Sequence, residues 1–213
     1  KNRKLNLLTI GKENSTIKID SLINKNNFQQ LSFKHNNKKY TVKVPLIGFF
    51  QIKNLLMAIL AAEHSGLNIN TIVKNIKNIK EVNGRLQLIR TLSNQAKIFI
   101  DYAHTPSALE TSLKTLKEHY NINPDVVFGC GGERDKKKRT IMAKVCEKYA
   151  EKIYITDDNP RNENPKLIRQ MIISGFKKRE DVQNIPLRQK AITQAAINSK
   201  PNGIILVAGK GHE

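Results

Sequence analysis

Between Lys97 and Ala208 the chain alternates short apolar runs with amphipathic stretches, and that alternation leaves few folds open. Lys97-Ile-Phe-Ile100, Val126-Val-Phe128, Lys152-Ile-Tyr-Ile155 and Gly203-Ile-Ile-Leu-Val-Ala208 are rich in β-formers and end in polar or glycine turns, as buried strands do. Helical periodicity fills the gaps. Thr105-Pro106 starts a helix that uses Leu109, Leu113 and Leu116, and a second runs through Ile141, Val145 and Ala150. Asn164-Pro165 reads as an N-cap with proline in the first turn, followed by Leu167, Ile168, Met171 and Ile172 at helical spacing. A weaker strand is expected near Asp181 to Ile185, then a helix with Ala191, Ile192, Ala195 and Ala196. Strands and helices in this alternation predict an α/β domain, a mostly parallel, Rossmann-like sheet with helical crossovers.

The earlier part of the chain has a different character. Ser15 to Asp20, Gln30 to Lys34 and Lys39 to Val44 read as strands, with Lys34-His-Asn-Asn-Lys38 as a hairpin turn. Leu46-Ile-Gly-Phe-Phe50 leads into a helix with Ile52, Leu55, Leu56 and Ile59 on one face, ending near Gly66. Asn70 is expected to cap another helix carrying Ile72, Val73, Ile76 and Ile79. No start signal opens this segment, which reads like the middle of a domain. The change follows Asn83-Gly84-Arg85, so the expected division is 1–85 and 86–213.

A formal charge of +19 can mean nucleic acid, an anionic membrane or phosphorylated substrates. Here the basic residues are spread along the chain, apart from Lys136-Lys-Lys-Arg139, and few aromatics lie among them. Lys, Asn and Ile are favoured throughout, as AT-rich coding produces, so no dedicated nucleic-acid surface is expected. Two cysteines, Cys130 and Cys146, make neither a disulfide framework nor a zinc site, which fits a reducing cytosol. Cys146 falls on an apolar helical face and reads as a core residue. No signal peptide and no bilayer-length apolar run is present, so the expectation is a soluble cytoplasmic protein with no membrane partner.

In a parallel sheet the polar ends of the four strong strands share one edge, where ligands bind. The first is Asp101-Tyr-Ala-His-Thr105, whose Asp101 suits either a ribose hydroxyl or the cap of the next helix. His104 fits a ligand role or a satisfied loop position. The second, Gly129-Cys-Gly-Gly-Glu-Arg-Asp-Lys-Lys-Lys-Arg139, has glycines that allow close backbone approach to a ligand, with Arg134 and Arg139 as guanidinium donors. The third, Thr156 to Pro165, holds Asp157, Asp158, Asn159 and Arg161: two carboxylates, an amide and a guanidinium for a ligand of both charges. The fourth is Gly209-Lys-Gly-His-Glu213. Four such loops on one edge make a site.

These residues carry a resemblance. Asp101-Tyr-Ala-His-Thr-Pro106, Phe128-Gly-Cys-Gly-Gly-Glu-Arg-Asp135, Asp158-Asn-Pro-Arg161 and Ala208-Gly-Lys-Gly-His-Glu213 resemble the Mur ligases of peptidoglycan synthesis, in order and spacing, from about Gly48 onward. Residues 1–47 resemble the family's central domain loosely. The resemblance implies the end of an ATP-binding central domain (1–85) followed by an amino-acid-binding C-terminal domain (86–213). It also implies an ATP- and magnesium-dependent amide-forming reaction. A carboxyl of UDP-N-acetylmuramoyl-L-alanyl-D-glutamate would be phosphorylated, then attacked by the amine of meso-diaminopimelate. The implied ATP residues are Asn54, Arg85, Asp101 and His104. The implied diaminopimelate residues are Arg134, Asp158, Asn159, Pro160, Arg161, Gly209 and Glu213. No metal ligand of this chain is implied, the catalytic groups are unassigned, and the partners are small molecules acting on a monomer. Departures from the family pattern are Gln51, Glu133 and Lys137, and no Gly-x-x-Gly-Lys-Thr/Ser loop occurs. The chain therefore reads as part of a longer enzyme, inactive by itself. Sibling ligases that add lysine or another amino acid, or extend a folate, remain the nearest alternatives. A basic nucleic-acid-binding protein is the alternative from another class.

Overall fold

A computed structural model describes residues 7–178 and 180–210. Two compact units result, 1–81 and 82–213. The turn Asn83-Gly84-Arg85, read from the sequence as the end of the first part, is hydrogen bonded into the second unit: Tyr102 N–H donates to the Gly84 carbonyl at 2.9 Å.

In the first unit β1 (Ile10–Gly11), β2 (Ile17–Lys25), β3 (Phe28–His35) and β4 (Lys38–Val44) form one sheet in sequential order. The β3–β4 hairpin turns on Asn36 and Asn37, both at positive φ, which asparagine tolerates better than most residues. Ile17, Leu31, Phe33, Val42 and Val44 form a core with Ile52, Leu56 and Ile59 of α1 (Phe49–His64). Next comes α2 (Ile69–Asn75), which runs into a 3₁₀ turn (Ile76–Asn78). Its cap is Asn68, not Asn70. The Asn68 side chain lies in extended backbone and accepts from Asn70 N–H at 2.9 Å, so the helix begins earlier than its apolar pattern.

The second unit contains β5 (Gln87–Thr91), β6 (Lys97–Asp101), α3 (Pro106–Tyr120), β7 (Asp125–Phe128), α4 (Lys137–Tyr149), β8 (Ile153–Ile155), α5 (Pro165–Ile173), β9 (Val182–Asn184), α6 (Arg188–Ile197) and β10 (Ile204–Ala208). The strand order is β5-β6-β10-β7-β8-β9, parallel throughout except that β5 runs antiparallel to β6. The path from β6 to β9 runs one way across the sheet, and the last strand returns to fit between β6 and β7. Right-handed crossovers therefore put α3, α4 and α5 on one face and α6 on the other. Alternation agrees: Val127, Tyr154, Ile205 and Val207 pack with Ala191 and Ala195 of α6. All of β7, β8 and β10 is buried, as a sheet covered on both faces requires.

The sequence announced neither the short β1 of the first unit nor strand β5 of the second. The latter is an edge strand whose pairing slips between Leu88 and Arg90, and Ile89 is exposed, so its alternation is broken. Two helix faces also differ from the apolar pattern. In α4 the inward residues are Arg139, Met142, Ala143, Cys146 and Tyr149, while Ile141 is exposed and Val145 half-buried. In α5 they are Ile168, Arg169 and Ile172, with Leu167 exposed. Each helix turns an arginine inward, which a count of apolar spacing cannot register.

Candidate functional site at the carboxyl edge of the second sheet

Parallel strands β6, β10, β7 and β8 are neighbours, so the loops after them share one edge. A cleft of about 480 Å³ opens there. It is lined by all four loops, among them His104, Arg134, Asp158, Asn159, Arg161 and Gly209. Six residues read as binding positions are thus brought to one cavity. Pro160 stands between two of them without lining it, and Glu213 lies outside the described residues.

The loop after β6 is built around Asp101. Its carboxylate is buried and accepts from Leu86 N–H and Ala103 N–H, both at 2.8 Å, so it joins the turn before β5 to the loop after β6. It does not cap the next helix: Thr105 does, accepting from Ala108 N–H at 3.3 Å, with Pro106 in the first turn. Burial raises the Asp101 pKa above the ordinary value, against the pull of those two N–H groups. The Arg85 guanidinium stands 5.4 Å over the Tyr102 ring, and Tyr102 meets His104 edge-on at 4.8 Å. His104 is exposed, with Nδ1 2.9 Å from the Tyr102 carbonyl. Arg85 and Asp101 therefore belong to one cluster in this unit, whereas Asn54 is an exposed residue of α1 in the other.

The next two loops are joined through their backbones. Gly132 N–H donates to the Asn159 carbonyl at 2.8 Å. A Cβ on Gly132 would stand 1.9 Å from the Pro160 carbonyl oxygen, and one on Gly129 would stand 2.3 Å from that of Thr156. The glycines expected to admit a ligand thus serve a different end: they let two neighbouring loops touch. Only Gly131 of the three lines the cleft, and a Cβ there would come 3.0 Å from Arg161 Nη1.

Arg161 has φ +49°, uncommon for a residue with a side chain, and its Nη1 donates to the Gly132 carbonyl at 2.6 Å. The guanidinium is docked, yet the residue remains exposed to the cleft. Across from it, Lys138 Nζ donates to the His104 carbonyl at 3.0 Å and ties the second loop to the first. Asp157, read with Asp158 as part of a charged cluster, is instead paired with the inward Arg169 and does not line the cavity.

Arg139 is the largest correction. The sequence offers it as an anion donor within a basic run, but its side chain is completely buried. It forks Glu163, with Nη1 to Oε2 and Nη2 to Oε1 both at 3.0 Å, and Nη2 also donates to the Gly131 carbonyl at 3.2 Å. Glu163 Oε1 in turn accepts from Glu133 N–H at 2.5 Å. Arg139 above all, then the Glu133 N–H, hold the Glu163 pKa down to about 2. Glu163 was missed because a lone acid before an Asn-Pro helix start looks like a solvated first-turn charge. Tyr102 and Lys138 lie within the quoted motifs but carry no role in the sequence reading. Cys130, on the glycine loop, is buried, and burial pushes its thiol up to about 11, so it supplies no thiolate.

The family model described as Mur ligase, glutamate ligase domain matches residues 84–211, and the model of the Mur ligase middle domain matches residues 1–62. A Rickettsia montanensis protein named UDP-N-acetylmuramoyl-L-alanyl-D-glutamate–2,6-diaminopimelate ligase is 43% identical over 215 residues, 100% of this chain and 43% of its own length. A protein of the same name from Buchnera aphidicola is 41% identical over 188 residues, 88% of this chain and 38% of its own. A solved structure of a ligase of that name superimposes with TM-score 0.72 at 33% identity, covering 97% of this chain and 42% of that one. Folylpolyglutamate synthase from Mycobacterium tuberculosis, complexed with ADP and AMPPCP, shares the fold at TM-score 0.73 and 19% identity, covering 92% of this chain and 46% of its own. The chain spans less than half the length of these relatives. With both family models matching in order and a cleft built from the quoted motifs, the chain belongs to the Mur ligase family.

Proposed function

We propose that this chain forms the amino-acid-binding part of a cytoplasmic, ATP-dependent ligase that adds meso-diaminopimelate to UDP-N-acetylmuramoyl-L-alanyl-D-glutamate in peptidoglycan precursor synthesis. The observation that carries the proposal is the docked Arg161 guanidinium, sharing one cleft with Arg134, Asp158 and Asn159. Diaminopimelate has two ammonium–carboxylate ends. One carboxylate suits Arg161 and Arg134, and an ammonium suits Asp158. The relatives named above carry that substrate in their names.

In this reading the chain binds and orients the attacking amino acid, while ATP supplies the activated carboxyl as an acyl phosphate. Arg85 and Tyr102, held by Asp101, form a cationic and aromatic surface suited to an adenosine, with His104 beside it. Asn54 belongs to the nucleotide site by family resemblance alone. Among the described residues no group of three His, Cys, Asp or Glu side chains could hold a metal ion; the magnesium of the reaction would come with the ATP, held mainly through its phosphates. The phosphoryl-transfer cradle is likewise not among this chain's motifs. Turnover therefore belongs to the longer protein, acting as a monomer on small molecules.

The test compares kcat/KM for diaminopimelate and lysine in the complete ligase and its Arg161→Ala form. Lysine lacks the distal carboxylate and would leave Arg161 desolvated without a charged partner, which costs about 2–5 kcal/mol. The parent should therefore prefer diaminopimelate by roughly 30-fold to several thousand-fold. Arg161→Ala should erase most of that preference, and Arg161→Lys should restore only part, because an ammonium lacks the planar fork. An unchanged ratio in Arg161→Ala would withdraw diaminopimelate in favour of a sibling substrate.

A further inference from the structure

We infer that Arg139 and Glu163 are positioning residues for amino-acid selection: their buried pair latches the glycine loop to the Arg161 loop and so sets where the Arg161 guanidinium stands. The inference rests on the proposed function for its ligand and goes beyond it in assigning two residues that do not line the cleft.

The geometry is a closed set of contacts between two loops. Arg139, rooted in the first turn of α4, holds the Gly131 carbonyl of one loop and the Glu163 carboxylate of the other. Glu163 reaches back to the Glu133 N–H. Two more bonds lie between these anchors and the cavity, Gly132 N–H to the Asn159 carbonyl and Arg161 Nη1 to the Gly132 carbonyl. Asn162 Nδ2 donates to Glu133 Oε1 at 2.7 Å and closes the outer side. Asn159 and Arg161 of the one loop are thus tied to Gly132 of the other, and that loop is tied to the buried Arg139 of α4.

The chemistry explains why the pair consists of charges. Two loops meeting backbone to backbone have no room for an apolar plug, since Gly132 stands against Pro160. A bidentate Arg–carboxylate pair fixes two directions at once and leaves little freedom for the loops to slide. It also holds Arg161 at its positive φ, where free backbone would relax. Since Arg139 is fully buried, loss of Glu163 would leave an uncompensated guanidinium in the joint between the loops. The loops would then part, and the carboxylate-reading group would move while the strands beneath stayed in place.

The experiment uses the complete ligase with Glu163→Gln, which keeps size and one acceptor but loses the charge, and Glu163→Asp, which keeps the charge on a shorter arm. Misplacement of a positioning group on this scale costs up to about 100-fold. The KM for diaminopimelate should therefore rise by roughly 10- to 100-fold in Glu163→Gln, less in Glu163→Asp, with the KM for ATP unchanged. Amide exchange supplies the reading that is independent of substrate. Gly132 and Glu133 N–H should exchange faster in Glu163→Gln, while Val126 and Thr156, bonded along β7 and β8, keep their protection. Faster loop exchange with an unchanged diaminopimelate KM would overturn the positioning role, and so would unchanged exchange. Equal rises in both KM values would show a general structural loss and overturn it too. If the parent itself does not use diaminopimelate, the proposed function falls, and the exchange result still decides the latch.

Discussion

Two acids in the second unit sit at opposite ends of the same sheet and behave in opposite ways. Glu163, at the carboxyl edge, is held down to about pKa 2, chiefly by the Arg139 fork. Asp125 opens β7 at the other edge, and burial pushes it up to about 6, although it accepts from Lys152 N–H at 3.1 Å. Near Asp125 the cations are turned elsewhere: Lys152 Nζ donates to the Asn198 carbonyl, and Lys200 pairs with Glu151. The difference teaches where this fold places buried charge. At the ligand edge both Glu163 oxygens meet an Nη of one guanidinium, and the pair positions a loop. At the far edge a carboxylate caps a turn and tolerates its own desolvation.

Breaking the matched pair should give the largest effect. Arg139→Met removes the fork and leaves Glu163 facing an apolar side chain. Losing the buried partner of the pair should be read as a fall in urea midpoint at constant slope. A loss below about 1 kcal/mol, the range of exposed pairs, would mean that the pair is no stronger than a surface contact.

Gly132→Ala tests the same joint without touching a charge. Its Cβ would meet the Pro160 carbonyl, so one loop must shift. Overpacking of this kind costs about 1–3 kcal/mol. Loop exchange should rise as in Glu163→Gln, and near-wild-type stability with tight loops would show that the approach is softer than it stands.

The far edge predicts a gain. Asp125 has a raised folded pKa, so the folded state holds the proton more tightly, and stability falls as pH rises from about 4 through about 6. Asp125→Asn keeps the acceptor for Lys152 N–H and removes the buried charge. It should therefore stabilise the protein by on the order of 1–2 kcal/mol at pH 7.5, and by little near pH 4. A loss at both pH values would show that the carboxylate charge is needed.

The smallest effect is the acid limb of Glu163. Its depressed pKa contributes stability that is present above about 4.5 and disappears as pH falls toward about 2. Glu163→Gln should flatten that part of the stability–pH curve, a difference visible only after the shared acid unfolding is subtracted.

Much of this contrast was beyond the reach of sequence. The strand ends, the proline helix starts and the glycine loop of the second unit are local signals, and they stand where their residues indicated, as Thr105-Pro106 and Asn164-Pro165 show, whereas the cap expected at Asn70 falls on Asn68. Asp101 was legible as a strand-end acid, but its choice of backbone over helix cap was not, because Leu86 reaches it from a distant part of the chain. Periodicity named Leu167 and Ile141 as inward and overlooked Arg169 and Arg139, since it counts apolarity and not available partners.

By itself the sequence determined the alternation of strand and helix, the edge on which the four loops meet and the motifs that mark a Mur ligase, because these depend on residue type and spacing along the chain. Only tertiary structure decided that β10 slips between β6 and β7, that Gly132 exists for Pro160, and that Arg139 belongs to Glu163. The physical reason is the same in each case. A hydrogen bond, a steric contact or a buried ion pair is a property of two groups, and these partners lie far apart in the chain until the sheet is built.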